Sequence, residues 1–185
     1  MKTTSVPVAI GVPAWKVASS FGCVVAVLGI VALGLPQLIT GTVVNAMLFT
    51  IAEYVGMEYA VTLGIFTPLC AMASGVLPLP LLALAPVIAL SNAMLVVSYG
   101  LLKRFNVFGM IVPAIIKFSF LCTVTFLLVK YPLQVSVSGT AQTLILPQII
   151  VAMFRWPQLI TALSGGLIFY IYRFVRTKKI KIAGE

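Results

Sequence analysis

The fold is decided by residues 107–131, which read VFGMIVPAIIKFSFLCTVTFLLVKY. A helix needs about 20 apolar residues to cross the ~30 Å hydrocarbon core of a bilayer, and this continuous stretch is long enough. Similar runs recur along the chain, which is 62% hydrophobic and only 8% charged. A soluble domain carries about 25% charged residues, and a membrane β-barrel alternates polar and apolar positions, so we predict a helical integral membrane protein.

Working outward from that stretch, we predict an all-α bundle of about six transmembrane helices in a single domain, residues 1–185. The predicted spans are residues 13–34, 36–55, 57–74, 78–102, 107–131 and 157–176. The apolar piece 144–154 would extend only ~16 Å as a helix, too short to cross. We therefore predict that residues 141–155 form an interfacial or re-entrant segment, with a continuation into the last helix left open.

The basic residues give the orientation. With six spans, Lys2, the tail Arg173–Lys181 and the loop Lys103–Arg104 share one side, and the opposite loops contribute only Lys130 and Arg155. Positive charge marks the cytoplasmic side, so we predict a multi-pass cell-membrane protein with both termini inside. The whole chain has a net charge of +9. Because its basic tail directly follows a span, this charge indicates contact with anionic lipid of the bilayer and no nucleic-acid partner.

The composition argues against catalysis. The chain has no histidine, three widely separated cysteines and three carboxylates. These leave no metal-ligand cluster, no acid–base pair and no catalytic residue, and a phosphate-binding glycine loop is absent. We predict no enzyme, no metal and no cofactor bound by this chain, so active transport would draw energy from a partner or an ion gradient.

A repeated pentapeptide begins two of the spans. Pro36–Thr40 reads PQLIT, and so does Pro157–Thr161. Proline suits the first turn of a helix, where unpaired N–H groups carry the positive end of the dipole. Two such starts on the outer side would form part of a polar cup for a ligand, although a coincidence of good helix starts is the alternative. The candidate substrate contacts here are Gln37, Thr40, Gln158 and Thr161.

Three further polar residues lie inside the apolar runs. A charge near the membrane centre costs from about 2.5 kcal/mol upward, so Lys117, close to the midplane, either snorkels to an interface or faces the interior. Inside the bundle it would contact substrate or an ion-pair partner. Asn45 and Asn92 either join helices or contact a ligand. We include all three as candidate substrate contacts.

A strip of small residues lies along the first span. Ala14, Ala18 and Gly22 are spaced four apart, which puts them on one face of a helix. This face either packs within the bundle or docks against another membrane protein.

The chain resembles the substrate-binding (S) components of energy-coupling factor (ECF) vitamin transporters over roughly residues 12–176. The motifs that carry the resemblance are the AxxxA pair at 14–18, GTVVNA at 41–46, TPL at 67–69, GVLP at 75–78, and Pro86 with SNA at 91–93. The resemblance implies a small six-helix subunit that binds a vitamin or similar micronutrient near the outer face. It also implies a transmembrane coupling protein and two ATPase subunits as partners, with ATP bound only by the latter.

Under this resemblance, Ala14 and Ala18 would pack against the coupling protein, and the segments Gly34–Gly41 and Gln134–Thr140 would cover the pocket. No motif assigns the chain to a substrate subgroup. The competing hypotheses are a membrane scaffold or assembly subunit without a ligand, and a stand-alone secondary transporter. The latter is disfavoured because carboxylates deep in the membrane are lacking.

Overall fold

The computed structural model describes residues 13–73, 75, 84–132, 134–137, 140–143 and 146–183. Its helices, in chain order, are α1 (Ala14–Ala32), α2 (Gln37–Tyr54), α3 (Met57–Ala73), α4 (Ala85–Leu102), α5 (Phe108–Lys130), α6 (Gln148–Met153) and α7 (Trp156–Ala183). A 3-10 turn, Lys103–Phe105, joins α4 to α5. Two short antiparallel strands, β1 (Gln134–Val137) and β2 (Thr140–Thr143), lie between α5 and α6. The described chain is therefore mainly helical.

Three of the described helical stretches are long and apolar enough to cross a membrane: Ala85–Phe105, Phe108–Lys130 and Gln148–Lys178. Ala14–Val27 and Met57–Ala73 are apolar but shorter. The first part of the predicted fourth span lies outside the described residues, and α4 begins at Ala85 with a proline in its first turn. The last helix continues beyond the predicted end at residue 176 and includes much of the basic tail.

Proline sets several helix starts. Pro36 has φ −50° and ψ 140°, so it stands just outside α2, and its carbonyl accepts the N–H groups of Ile39 and Thr40. Pro147 has nearly the same conformation before α6. Pro157 differs from Pro36 because it lies inside the first turn of α7, one residue after its start. The two PQLIT copies are thus offset by two residues relative to the starts of their helices.

α2 and α7 lie side by side and run parallel. At one end the Gln37 side-chain amide is 3.4 Å from the Met153 carbonyl, directly before α7. At the other, Arg173 pairs with Glu53 at 3.7 Å, and Lys103 at the end of α4 lies 3.9 Å from the same carboxylate. We call this the basic end of the bundle. α2, α4 and α7 all run toward it.

Two apolar layers occupy different depths of the bundle. The larger one lies toward the basic end and includes Leu48, Phe49, Leu95, Tyr99 and Phe169. Three of its rings contact one another at centroid distances of 5.1–5.9 Å, with Phe49 and Phe169 stacked and Tyr99 edge-on to both. The smaller one lies toward the opposite end, which we call the hairpin end, and its buried members are Leu84, Leu121, Ile150 and Phe154. The space between these two layers holds the site described below.

The connection between α5 and α7 is the main departure from the predicted all-α architecture. Residues 134–137 and 140–143 form the two paired strands of a hairpin, and residues 148–153 form the short helix α6. The Phe154 carbonyl accepts a weak hydrogen bond from Cys122 Sγ at 3.9 Å. Cys122 lies about 12 Å from the end of α5 at 1.5 Å per residue, so α6 packs along the side of α5 and not above it. Whether residues 141–155 are interfacial, re-entrant or a continuation of the last helix stays a prediction.

Candidate functional site

Lys117 lies near the middle of α5 and is buried, with 4% of its surface exposed. Its ammonium donates to Asn45 Oδ1 at 2.8 Å and to Asn92 Oδ1 at 2.7 Å. These acceptors come from α2 and α4, so one side chain joins three helices. The lysine therefore faces the bundle interior and does not reach toward an interface.

Asn45 connects this arrangement to α7. Its amide nitrogen lies 3.4 Å from Thr161 Oγ1, and that hydroxyl donates to the Gln158 carbonyl at 3.1 Å. Close helix approach makes the contact possible. A Cβ added at Gly165 would lie 2.7 Å from Asn45 Cβ, closer than real Cβ atoms approach, so only glycine fits there without a shift.

Asn92 connects the same lysine to α3. Its amide nitrogen donates to the Gly64 carbonyl at 2.9 Å, while its oxygen accepts from Lys117. Gly64 again permits close packing, since a Cβ there would be 3.0 Å from Asn92 Cβ. Together these contacts define a polar layer of four buried side chains: Asn45, Asn92, Lys117 and Thr161.

The polar layer contains the Lys117 amine without a nearby carboxylate. Both ion pairs of the described residues use Glu53 at the basic end, where the Tyr99 hydroxyl also donates to it at 3.0 Å. Glu58 is exposed in the first turn of α3. Among the described residues, therefore, no acidic group lies within ion-pair distance of Lys117. An uncompensated charge at this depth is costly, which makes the layer unusual for packing alone.

The other predicted substrate contacts lie outside the polar layer. Gln37 is half-buried and bonds to the carbonyl before α7, and the Thr40 hydroxyl bonds to the Leu35 carbonyl at 3.3 Å. Gln158 contributes its backbone carbonyl to Thr161. The two PQLIT copies nevertheless lie next to each other, because a Cβ at Gly41 would be 3.1 Å from the Thr161 methyl group.

The small-residue strip lies on the outer surface of α1. Ala14, Ala18 and Gly22 are exposed, and a Cβ added at Gly22 would meet nothing within 4 Å. The same helix exposes Trp15 and Phe21, whereas Val27 is buried. Within the described residues, the strip therefore takes no part in packing the bundle.

An apolar groove of about 290 Å³ lies between α5 and α7, apart from the polar layer. Its lining residues are Val107, Met110, Ile111, Leu163, Gly166, Leu167 and Tyr170. None of the predicted substrate contacts belongs to this lining. The groove therefore adds no polar group to the candidate site.

Two residues that shape the site were not identified as site residues from the sequence. Gly64 supplies a backbone acceptor, and Gly165 permits the approach of α7 to α2. The glycine pair at 165–166 indicates close helix contact, but spacing alone does not say which helix is contacted.

A comparison of the chain with family models, with curated proteins and with solved structures gives no match. The class of protein is therefore defined by the molecule's own geometry. It is a mainly helical protein with three described helices long and apolar enough to cross a membrane, and with a polar layer around a buried lysine in its interior.

Proposed function

We propose that the chain is the membrane-embedded substrate-binding subunit of an ECF-type importer for a vitamin or related micronutrient. It would be a multi-pass protein of the cell membrane. The observation that carries the proposal is the polar layer, in which Lys117 is bonded to two amide oxygens but has no carboxylate partner among the described residues. A buried charge of this kind is characteristic of a substrate site in a membrane protein.

The position of the layer suits uptake followed by release. Apolar contacts close it on both sides, so a ligand enters only if one of the two layers opens. The layer toward the hairpin end is the smaller, and it depends on Ile150 and Phe154 in the α6 region. Movement of this short segment costs less packing than separation of α2, α4 and α7. We infer that substrate enters from the hairpin end, which the positive-inside rule places outside the cell.

The α1 strip is the proposed docking surface for the transmembrane coupling protein, which in turn binds two ATPase subunits. Its exposed small residues let a second helix approach closely. Because the chain itself lacks a phosphate-binding loop, ATP would be bound only by the partners.

The test is affinity purification of the tagged chain from its native membrane, with uptake measured in the same cells. We expect a coupling protein and ATPase subunits to accompany the wild type. An Ala14→Leu/Ala18→Leu variant should lose them and lose uptake while still binding substrate. Ala73→Leu changes an exposed alanine on α3, outside the strip, and is the matched control that should behave as wild type. Retention of partners by the double variant would contradict docking through α1.

A scaffold subunit without a ligand is the second candidate, because one observation favours it. Every buried side-chain polar atom among the described residues has a hydrogen-bond partner. Bonds of this kind hold membrane helices together without any ligand. The test is whether the purified chain binds any small molecule, and whether any candidate micronutrient raises its stability. If neither happens, the scaffold hypothesis is supported.

A further inference from the structure

We propose that the ligand of the polar layer carries a single carboxylate, bound by the N–H groups of Lys117, Asn45 and Asn92. The inference rests on the proposed binding function and specifies its substrate class.

The hydrogen-bond balance of the layer indicates an acceptor-rich ligand. Both asparagine oxygens accept from Lys117, so the acceptors of these side chains already have donors. Donors are in excess, since an ammonium has three N–H bonds and each amide nitrogen has two. Among the described residues, Lys117 uses two, and Asn45 and Asn92 use one each. One N–H per side chain therefore remains for a ligand oxygen.

The charge of the layer indicates an anion. When protonated, Lys117 carries one positive charge, and a buried charge requires a partner of opposite sign. A carboxylate neutralises it with one negative charge, and its two oxygens accept from several donors at once. A phosphate ester carries about −1.5 to −2 charges and would leave the site negative. A monocarboxylate is the better match.

Among the described residues, no acidic side chain is placed to supply that carboxylate. Glu53 is paired at the basic end, and Glu58 is exposed. The third acidic residue, Glu185, lies outside the described residues.

The surroundings restrict the rest of the ligand. Leu121 lies one helical turn from Lys117 toward the hairpin end, where it packs with Ile150 and Phe154. On the other side lie Leu48 and Leu95 of the larger layer. A molecule with its carboxylate at Lys117 would have these apolar side chains around its other atoms, so we expect an apolar ring or chain to carry the acid group.

The experiment is to identify what the full-length protein retains on purification in mild detergent. Small molecules are released from the wild type, Lys117→Met and Lys130→Met, and their masses and charges are determined. Lys130→Met is the matched control because that lysine is exposed at the end of the same helix. The retained acid is then compared with its own carboxamide in a binding assay. If the protein retains no molecule, two acid–amide pairs serve as probes: nicotinate with nicotinamide, and lipoate with lipoamide. Binding of each compound is measured as a rise in the thermal unfolding temperature of the protein.

We expect an acid in the wild type and Lys130→Met and none in Lys117→Met, with the carboxamide at least about tenfold weaker, as for loss of a charge-assisted bond. Retention of a neutral or cationic molecule, or equal binding of acid and amide, would overturn the carboxylate inference and leave the binding function intact. If no molecule is retained and no probe stabilises the protein, both proposals fail. Should Lys117→Met not fold, the acid–amide comparison on wild type decides.

Discussion

The approach of α7 to α2 at Gly165 gives a quantitative prediction. In Gly165→Ala the new Cβ would lie 2.7 Å from Asn45 Cβ and 2.8 Å from both Thr42 O and Ala46 N. Ordinary Cβ contacts begin at 3.4 Å, so the helices must separate by about 0.7 Å, the difference between 2.7 and 3.4 Å. Overpacking of this kind costs about 1–3 kcal/mol of unfolding free energy.

The neighbouring glycine is the control. A Cβ at Gly166 would meet Met110 Cβ at 3.4 Å and Phe49 Cε2 at 3.6 Å, which are ordinary contacts with side chains. Both substitutions gain the same helix propensity, about 1 kcal/mol for glycine to alanine. The difference between the variants therefore isolates the contact of α7 with α2, and we expect Gly165→Ala to be less stable by about 1–3 kcal/mol.

Equilibrium unfolding of the purified protein in mild detergent measures this difference. The chain has two tryptophans, and Trp156 begins α7, so fluorescence reports on the helix that moves. A Gly165→Ala protein as stable as Gly166→Ala would refute the close approach of α2 and α7. The polar layer built on that approach would then be wrong as well.

Three other predictions concern docking, the polar layer and orientation. Ala14→Leu with Ala18→Leu should abolish uptake at unchanged substrate affinity, measured by transport and binding assays on the same variant. Asn92→Ala should lower the unfolding free energy by about 1–3 kcal/mol, since it leaves a lysine N–H and a buried carbonyl of α3 without a partner. In a cysteine-free background, Thr143→Cys should react with an impermeant maleimide on intact cells and Lys178→Cys only after lysis; the reverse pattern would contradict the orientation.

Hydropathy predicts where the helices form because a membrane-spanning segment must meet its structural requirement with its own residues. A stretch such as Phe108–Lys130 must satisfy its backbone hydrogen bonds internally in lipid, whatever surrounds it. Lys117 was identifiable for a similar reason, since a charge in an apolar run is costly in any arrangement. The three short or less apolar helices α1, α2 and α3 are harder to judge, and their crossing of the membrane remains a prediction.

The partners of Lys117 were not predictable, because they depend on which helices are neighbours. An asparagine amide bonds equally well to another amide, to a carbonyl or to a ligand. The Asn92 amide nitrogen bonds to α3 and its oxygen accepts from Lys117 on α5. Both bonds form because Gly64 allows α3 to approach α4 closely. Such contacts join residues far apart in sequence, and no spacing rule encodes them.

The hairpin was missed for a different reason. Val135 and Val137 alternate with polar residues, and Ser138–Gly139 follows them, a pattern typical of a strand that leads into a tight turn. We predict instead that Gln134–Thr140 covers the pocket and that residues 141–155 form an interfacial or re-entrant segment, and neither prediction includes strands. The strands pair only with each other, so no larger sheet reinforces the signal.

The choice between binding subunit and scaffold depends on charge and not on hydrogen bonding. Amide side chains alone join helices at lower cost than a buried ammonium, because no charge has to leave water. A layer whose only task is to hold α2, α4 and α5 together has no need of the lysine. An anion that binds from outside the chain would pair with the lysine ammonium. The lysine would then stabilise the ligand-bound protein more than the empty one. That difference is what a binding subunit requires, since its partners must distinguish a loaded protein from an empty one.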